Sequence, residues 1–272
     1  MRPFLFLLFF MAMIISACEK PDEVLPVPPV PEGKATAIET KIPEKKSSTD
    51  TASELYQYGK IKDMPYRILV PRNYDATKTY PLLLFLHGIG ERGTDNEQQL
   101  TLGAALFQAD SIRTKYPSFI VFPQCPTAHY WFDDKEMNTL KNLIDTLDAA
   151  YQIDEKKIYI GGLSMGAYGT YAMVAENPGL FAAAVAISGD GDASKAPLMA
   201  KTKWRIFAGE KDDVVSSSKS EKMATALKKS GALVSFTLYP EADHTGSWVN
   251  AFSEPDFCSW LFSISLNNDQ VH

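Results

Sequence analysis

Ser164 is the residue whose setting most suggests chemistry. It stands in Gly162-Leu163-Ser164-Met165-Gly166, after the β-prone run Ile158-Tyr159-Ile160-Gly161 and before a helical stretch holding Ala167, Tyr168, Thr170, Tyr171, Met173 and Val174. A G-x-S-x-G turn between strand and helix forces the serine onto a tight corner, with its hydroxyl above the sheet edge. Glycines two residues either side remove the Cβ atoms that would collide there. The helix start aims free N–H groups at the corner, which favours a developing negative charge. A hydroxyl is a weak nucleophile and needs a base, itself oriented by an acid. At such corners the chain order is Ser, acid, His. Only His244 and His272 follow Ser164, and His272 is the last residue; His87 and His129 precede it. His244 lies in the loop Tyr239-Pro240-Glu241-Ala242-Asp243-His244, just after the final strand-like run. The acid belongs after the preceding strand, where Gly209-Glu210-Lys211-Asp212 favours Asp212, with Asp213 as the alternative. Asp243 is too close in sequence to face the ring well. Asp190 and Asp192, at another strand end, suit a pocket rim better than the acid's place.

A second glycine-rich turn follows Leu82–Leu86, in His87-Gly88-Ile89-Gly90-Glu91-Arg92-Gly93. Taken literally, Gly88, Gly90 and Gly93 spell the dinucleotide pattern G-x-G-x-x-G. Glu91 argues against it, because a carboxylate would sit where a pyrophosphate must approach. Thr94-Asp95-Asn96 reads as a turn and helix cap. The loop serves acyl chemistry better: the backbone N–H of Ile89, with Gly90 as neighbouring alternative, and that of Met165 would form an oxyanion hole. This chemistry calls for no organic cofactor and no metal. The cysteines Cys18, Cys125 and Cys258 show no C-x-x-C spacing, and the four histidines are scattered. Cys125 and Cys258 are expected as separate core residues.

The elements that must hold these groups alternate. Strand-length apolar runs recur at Tyr66–Val70, Leu82–His87, Phe119–Phe122, Ile158–Gly161, Ala183–Ser188, Trp204–Ala208 and Val234–Tyr239. Several are continuous, as in parallel strands covered on both faces. Helical stripes fall at Lys135–Tyr151 and at Ser218–Lys229, the latter closed by Gly231. The expectation is one α/β domain over residues 53–266, with a mostly parallel sheet, helices on both faces and no internal repeat. Only Gly189–Lys203 separates two consecutive strands, too little for a large cap domain. The 272 residues are 45% hydrophobic and 22% charged, enough for one sizeable core. The net charge of −6 comes without a basic stripe, which excludes a nucleic-acid partner.

The first residues read as a targeting segment. Arg2 precedes an apolar run from Phe4 to Ile15, too short for a permanent membrane span. It ends in Ile15-Ser16-Ala17-Cys18, which resembles the bacterial lipobox and implies a signal peptide over 1–17 and lipidation of Cys18. Residues 18–52 carry Pro21, Pro26, Pro28, Pro29, Pro31 and Pro43 without hydrophobic period, as in an extended tether of roughly 3 Å per residue. The expected location is the cell envelope, on the outer membrane or cell surface.

Taken together, LHGIGERGTDN, YQIDEKKIYIGGLSMGAYGTY, AGEKDDVV and EADHTGSW resemble the phospholipase/carboxylesterase and predicted-peptidase branch of the α/β-hydrolases, relatives of feruloyl and acetylxylan esterases. The likeness covers about residues 55–264. It implies an α/β-hydrolase fold, Ser164, Asp212 and His244 as a catalytic triad, and Trp131 and Gly90 bordering a substrate pocket. Ala167, Ala208 and Ser216 depart from residues common in that group, and none removes a catalytic atom. The expected activity is hydrolysis of carboxylic esters through an acyl-enzyme, on small-molecule or polysaccharide-linked substrates. The rivals are a serine peptidase acting on short peptides and a non-catalytic glycan-binding lipoprotein.

Overall fold

A computed structural model describes residues 55–266. The calls on 1–17, on the 18–52 tether, on Cys18 and on His272 lie outside the described residues. Eight strands form one sheet: β1 (Gln57–Ile61), β2 (Met64–Leu69), β3 (Tyr80–Leu86), β4 (Phe119–Pro123), β5 (Ile153–Leu163), β6 (Ala183–Ile187), β7 (Lys203–Gly209) and β8 (Val234–Tyr239). Their spatial order is β1-β2-β4-β3-β5-β6-β7-β8. β2 pairs antiparallel with both β1 and β4, and every pairing from β4 to β8 is parallel. The central strands are buried on both faces, which is why β3 (YPLLLFL) and β6 (AAVAI) show no alternation. β8 is an edge strand with every residue at least partly exposed.

Among the described residues seven helices flank the sheet: α1 (Ala104–Gln108), α2 (Asp110–Lys115), α3 (Asp134–Ala150), α4 (Met165–Glu176), α5 (Ser217–Lys229), α6 (His244–Ser253) and α7 (Phe257–Ser263). Leu140, Leu143, Ile144 and Leu147 of α3, Tyr171 and Met173 of α4, and Met223 and Leu227 of α5 share one core with one side of the sheet. Phe107 of α1, Trp248 of α6 and Leu261 of α7 share the core on the other. Each strand expected from the sequence is present; β1 was not anticipated, and β5 starts five residues earlier. Between β6 and β7 stands only a 3-10 turn at Ala193–Met199, so the described residues contain no cap domain. Cys125 and Cys258 are both buried and unpaired.

Two long-range ties brace β5. Tyr159 donates its hydroxyl to the carbonyl of Ile264 at 2.6 Å, and the Leu266 N–H donates to Lys156 O at 2.9 Å.

Candidate active site

Ser164 sits where β5 turns into α4, at φ 51° and ψ −119°. A non-glycine residue at positive φ is strained and is held there only by its surroundings. The surroundings are backbone. A Cβ on Gly162 would stand 2.3 Å from the Gly166 carbonyl oxygen, and one on Gly166 would stand 2.0 Å from that of Leu86. The Ser164 N–H donates to Ile187 O at 2.8 Å, so the corner is also tied to β6.

His244 Nε2 lies 3.0 Å from Ser164 Oγ, and its Nδ1 lies 2.7 Å from Asp212 Oδ2. A carboxylate only accepts, so Nδ1 carries the ring proton and Nε2 presents its lone pair to the serine. Asp212 Oδ1 accepts the N–H groups of Val214 and Val215 at 3.0 and 2.8 Å. Burial pushes the Asp212 carboxyl up. The His244 ring N–H and the two backbone N–H groups outweigh it and hold the carboxyl below its ordinary range. The Asp212 side chain is fully buried and that of His244 is 15% exposed. The loops bearing them are stitched together: the N–H of Glu210 donates to Tyr239 O and that of Lys211 to Ala242 O, both at 3.0 Å.

The alternatives for the acid are occupied or turned away. Asp213 is exposed. Asp243 caps α6, accepting the Gly246 N–H at 2.7 Å. That cap changes one expectation: His244 is the first residue of a helix rather than part of a loop, and its ring meets Trp248 one turn on, edge to face at 4.9 Å. Asp190 and Asp192 line a cleft beside α4. His129 lies near Asp133 and Glu136.

Ile89 opens a 3-10 turn over Ile89–Glu91, and Met165 opens α4. Both N–H groups therefore stand where no carbonyl precedes them by a turn. Neither donates within the turns and loops of the described residues. The loop lies against the serine corner, since a Cβ on Gly88 would be 3.8 Å from Ser164 Cβ. It is fastened from below by His87, whose Nε2 accepts the Cys125 N–H at 3.0 Å while Nδ1–H donates to Gly88 O at 2.6 Å. Burial pushes the His87 ring down to about 4, so it stays neutral. Arg92 holds the outer side, donating from Nε to Ile89 O at 3.2 Å.

Trp131 requires a correction. The resemblance implied a pocket wall, but the indole is fully buried. Its Nε1 donates to His87 O at 3.0 Å, and a Cβ on Gly169 would stand 2.4 Å from Trp131 Cβ. It supports the loop from inside, because a large ring with one donor is best placed where both are satisfied. The exposed neighbours Tyr130 and Phe132 take the outward position, their rings stacked at 5.3 Å. Gly90 lies on the exposed turn, with open space where a Cβ would stand. Among the described residues no group of His, Cys, Asp and Glu is arranged to hold a metal.

The arrangement can take a proton from a hydroxyl, stabilise the resulting imidazolium, and offer two backbone donors beside Ser164. Residues 61–231 match the family described as "Putative esterase". The chain is 34% identical to a structure titled as a thermostable esterase, with a TM-score of 0.75 over 78% of this chain and 64% of that one. Over 125 residues it is 27% identical to poly(3-hydroxyalkanoate) depolymerase C of Paucimonas lemoignei, covering 40% of this chain and 28% of that protein. A ferulic acid esterase structure aligns with a TM-score of 0.58 over 73% of this chain and 91% of that one; at 18% identity it shows the α/β-hydrolase fold alone. The chain thus spans less than two thirds of the length of the first two proteins.

Proposed function

The chain belongs to this esterase family, and from that premise we propose that it is a serine hydrolase cleaving carboxylic esters through an acyl-enzyme. The observation that carries the reading is the unbroken hydrogen-bonded line from Ser164 Oγ through His244 to Asp212. His244 Nε2 takes the serine proton as Oγ attacks the ester carbonyl carbon. Asp212 holds the ring in that tautomer and offsets its positive charge. The Ile89 and Met165 N–H groups receive the oxyanion; a donor of this kind is worth about 3–4 kcal/mol in the transition state. The C–O bond to the alcohol breaks, and the alcohol leaves with the proton from His244. Water then adds to the acyl-enzyme by the same route in reverse.

Among the described residues no cap domain stands over the site, and Ile89, Tyr130, Phe132 and Val214, on loops that follow the strands, are exposed. Such a rim suits esters on carbohydrate or of aromatic acids, presented on bulky molecules. We place the enzyme in the cell envelope, anchored through a lipid on Cys18, with residues 18–52 as its tether. Labelling with a fluorophosphonate probe and a panel of aryl esters, run on the wild type and on Ser164→Ala, tests the mechanism. Label and turnover should both vanish in the variant. Labelling that survives Ser164→Ala, or an amide cleaved faster than its matching ester, refutes it. Metabolic labelling with palmitate, compared with Cys18→Ser, tests the anchor.

A further inference from the structure

Strand β8 closes one side of the sheet, and only half of its backbone is used there. It runs parallel to β7, with Trp204 opposite Val234 and Gly209 opposite Tyr239. The Trp204 N–H donates to Leu233 O at 2.8 Å, and the Glu210 N–H donates to Tyr239 O at 3.0 Å. In a strand each residue points its N–H and C=O to one side, and the next residue points them to the other. Leu233, Ser235, Thr237 and Tyr239 therefore face β7. Val234, Phe236 and Leu238 face outward, and none of their main-chain groups meets a partner among the described residues.

An open row of this kind is a template for another strand, and natural edges are blunted by a lysine, a proline or a bulge. β8 (VSFTLY) carries no charge and no proline, and its register with β7 is unbroken. The opposite edge strand, β1, does carry a lysine, Lys60. β8 also shows apolar surface: Leu238 is 40% exposed and Leu233, just before the strand, 67%. Val234 and Phe236 lie partly buried on the side of the sheet that α5 covers.

Charge indicates what covers the edge. α5 ends in Lys228 and Lys229, and Lys203 opens β7, so lysines collect where β8 begins. Where β8 ends, Glu210, Asp213, Glu241 and Asp243 are exposed, and Lys211 is held by Glu241. One end of the edge is basic and the other acidic. A second copy running antiparallel lays its acidic end on the first copy's basic end, and the reverse. A two-fold contact of this kind is self-complementary. With the axis at Phe236, that residue meets the partner's Phe236, and Val234 meets the partner's Leu238. The three outward N–H and three outward C=O groups of each strand are then all paired. We propose that β8 is a homodimer interface, two copies joining edge to edge about Phe236 into one continuous sheet. The two Ser164 corners then stand at opposite margins of that sheet.

Disulfide trapping in the full chain, as expressed in cells, tests the interface. In this pairing the two Phe236 Cα atoms stand about 5.5 Å apart, within reach of a disulfide, and the two Thr237 Cα atoms about 8 Å apart, beyond it. Under mild oxidation Phe236→Cys should give a homodimer on a non-reducing gel, with a 236–236 disulfide peptide in its mass spectrum. Its yield should exceed those of Thr237→Cys and the wild type by about tenfold or more. Cys125 and Cys258 are buried and do not compete. Should Phe236→Cys misfold, Val234→Cys and Leu238→Cys in one chain report the same register through a 234–238 bond. Adding Leu238→Lys to Phe236→Cys, at an exposed position, should abolish the bond while the circular-dichroism spectrum stays native, because a lysine blunts an edge. No dimer from either cysteine design overturns the proposal. So do equal yields from Phe236→Cys and Thr237→Cys, or a yield that Leu238→Lys leaves unchanged. A cysteine trapped on a different protein in place of a second copy gives the edge to another partner and also overturns it. No arm of the test depends on Ser164 acting as the nucleophile.

Discussion

The corner that holds Ser164 and the rim around it are built on opposite terms. At the corner, main-chain atoms meet main-chain atoms: Gly162 and Gly166 leave no room for a methyl group, and the carbonyls of Leu86 and Ile187 close the gap. At the rim, Ile89 is 50% exposed and Val214 67% exposed, and side chains face water. Backbone packing offers no small adjustments, so the corner fixes where the Ser164 hydroxyl stands. Exposed side chains can change without disturbing the fold, so the rim is where preference among substrates resides.

The contrast can be broken at its strongest point by the acid. Asp212→Asn should lower kcat for an aryl ester by about 10⁴-fold, because the amide favours the wrong ring tautomer. Asp213→Asn, one residue further on and exposed, should stay within about twofold. Equal losses in the two variants would mean that the hydrogen-bonded line does not carry the reaction. Trp131→Ala should destabilise the protein by about 3–5 kcal/mol, read as a shift in the chemical-denaturation midpoint, since it leaves a cavity beneath the loop of Ile89. A variant of native stability would return the indole to the rim. His87 sharpens the same point through pH. Its folded value of about 4 lies below the ordinary 6.5, so as pH falls below 6.5 the unfolded chain takes up a proton that the folded one refuses. Stability therefore drops between about pH 6.5 and 4, by about 3 kcal/mol from this group, and this contribution levels off below. Denaturation curves of the wild type and His87→Asn across that window should converge toward the acid end. The smallest effect belongs to the rim: Val214→Ser should change stability by no more than about 0.5 kcal/mol.

The fold was legible wherever burial is complete. Continuous apolar runs such as Leu82–Leu86 marked the parallel strands, and the stripe along Lys135–Tyr151 marked α3. Glycine spacing singled out Ser164, and chain order then led to His244 and Asp212, which the structure brings within hydrogen-bond distance. Three things were hidden. Helix α6 begins His244-Thr245-Gly246, a poor helical start that only the Asp243 cap makes workable. Tyr130, Trp131 and Phe132 are adjacent aromatics, and nothing in their order tells which one turns inward; the partner that decides, the carbonyl of His87, is 44 residues away. The cleft beside α4 joins residues from three separate segments, so no local pattern announces it.

The ties from Tyr159 to Ile264 and from Leu266 to Lys156 have a consequence for the order of assembly. The strand that leads to Ser164 gains its last two supports from residues made about a hundred positions later. Ribosomes release the chain from its amino end, so the serine corner emerges long before its base, and the base before the final brace. A chain cut short before Ile264 would therefore keep the Ser164 corner and His244 but lose both braces of β5.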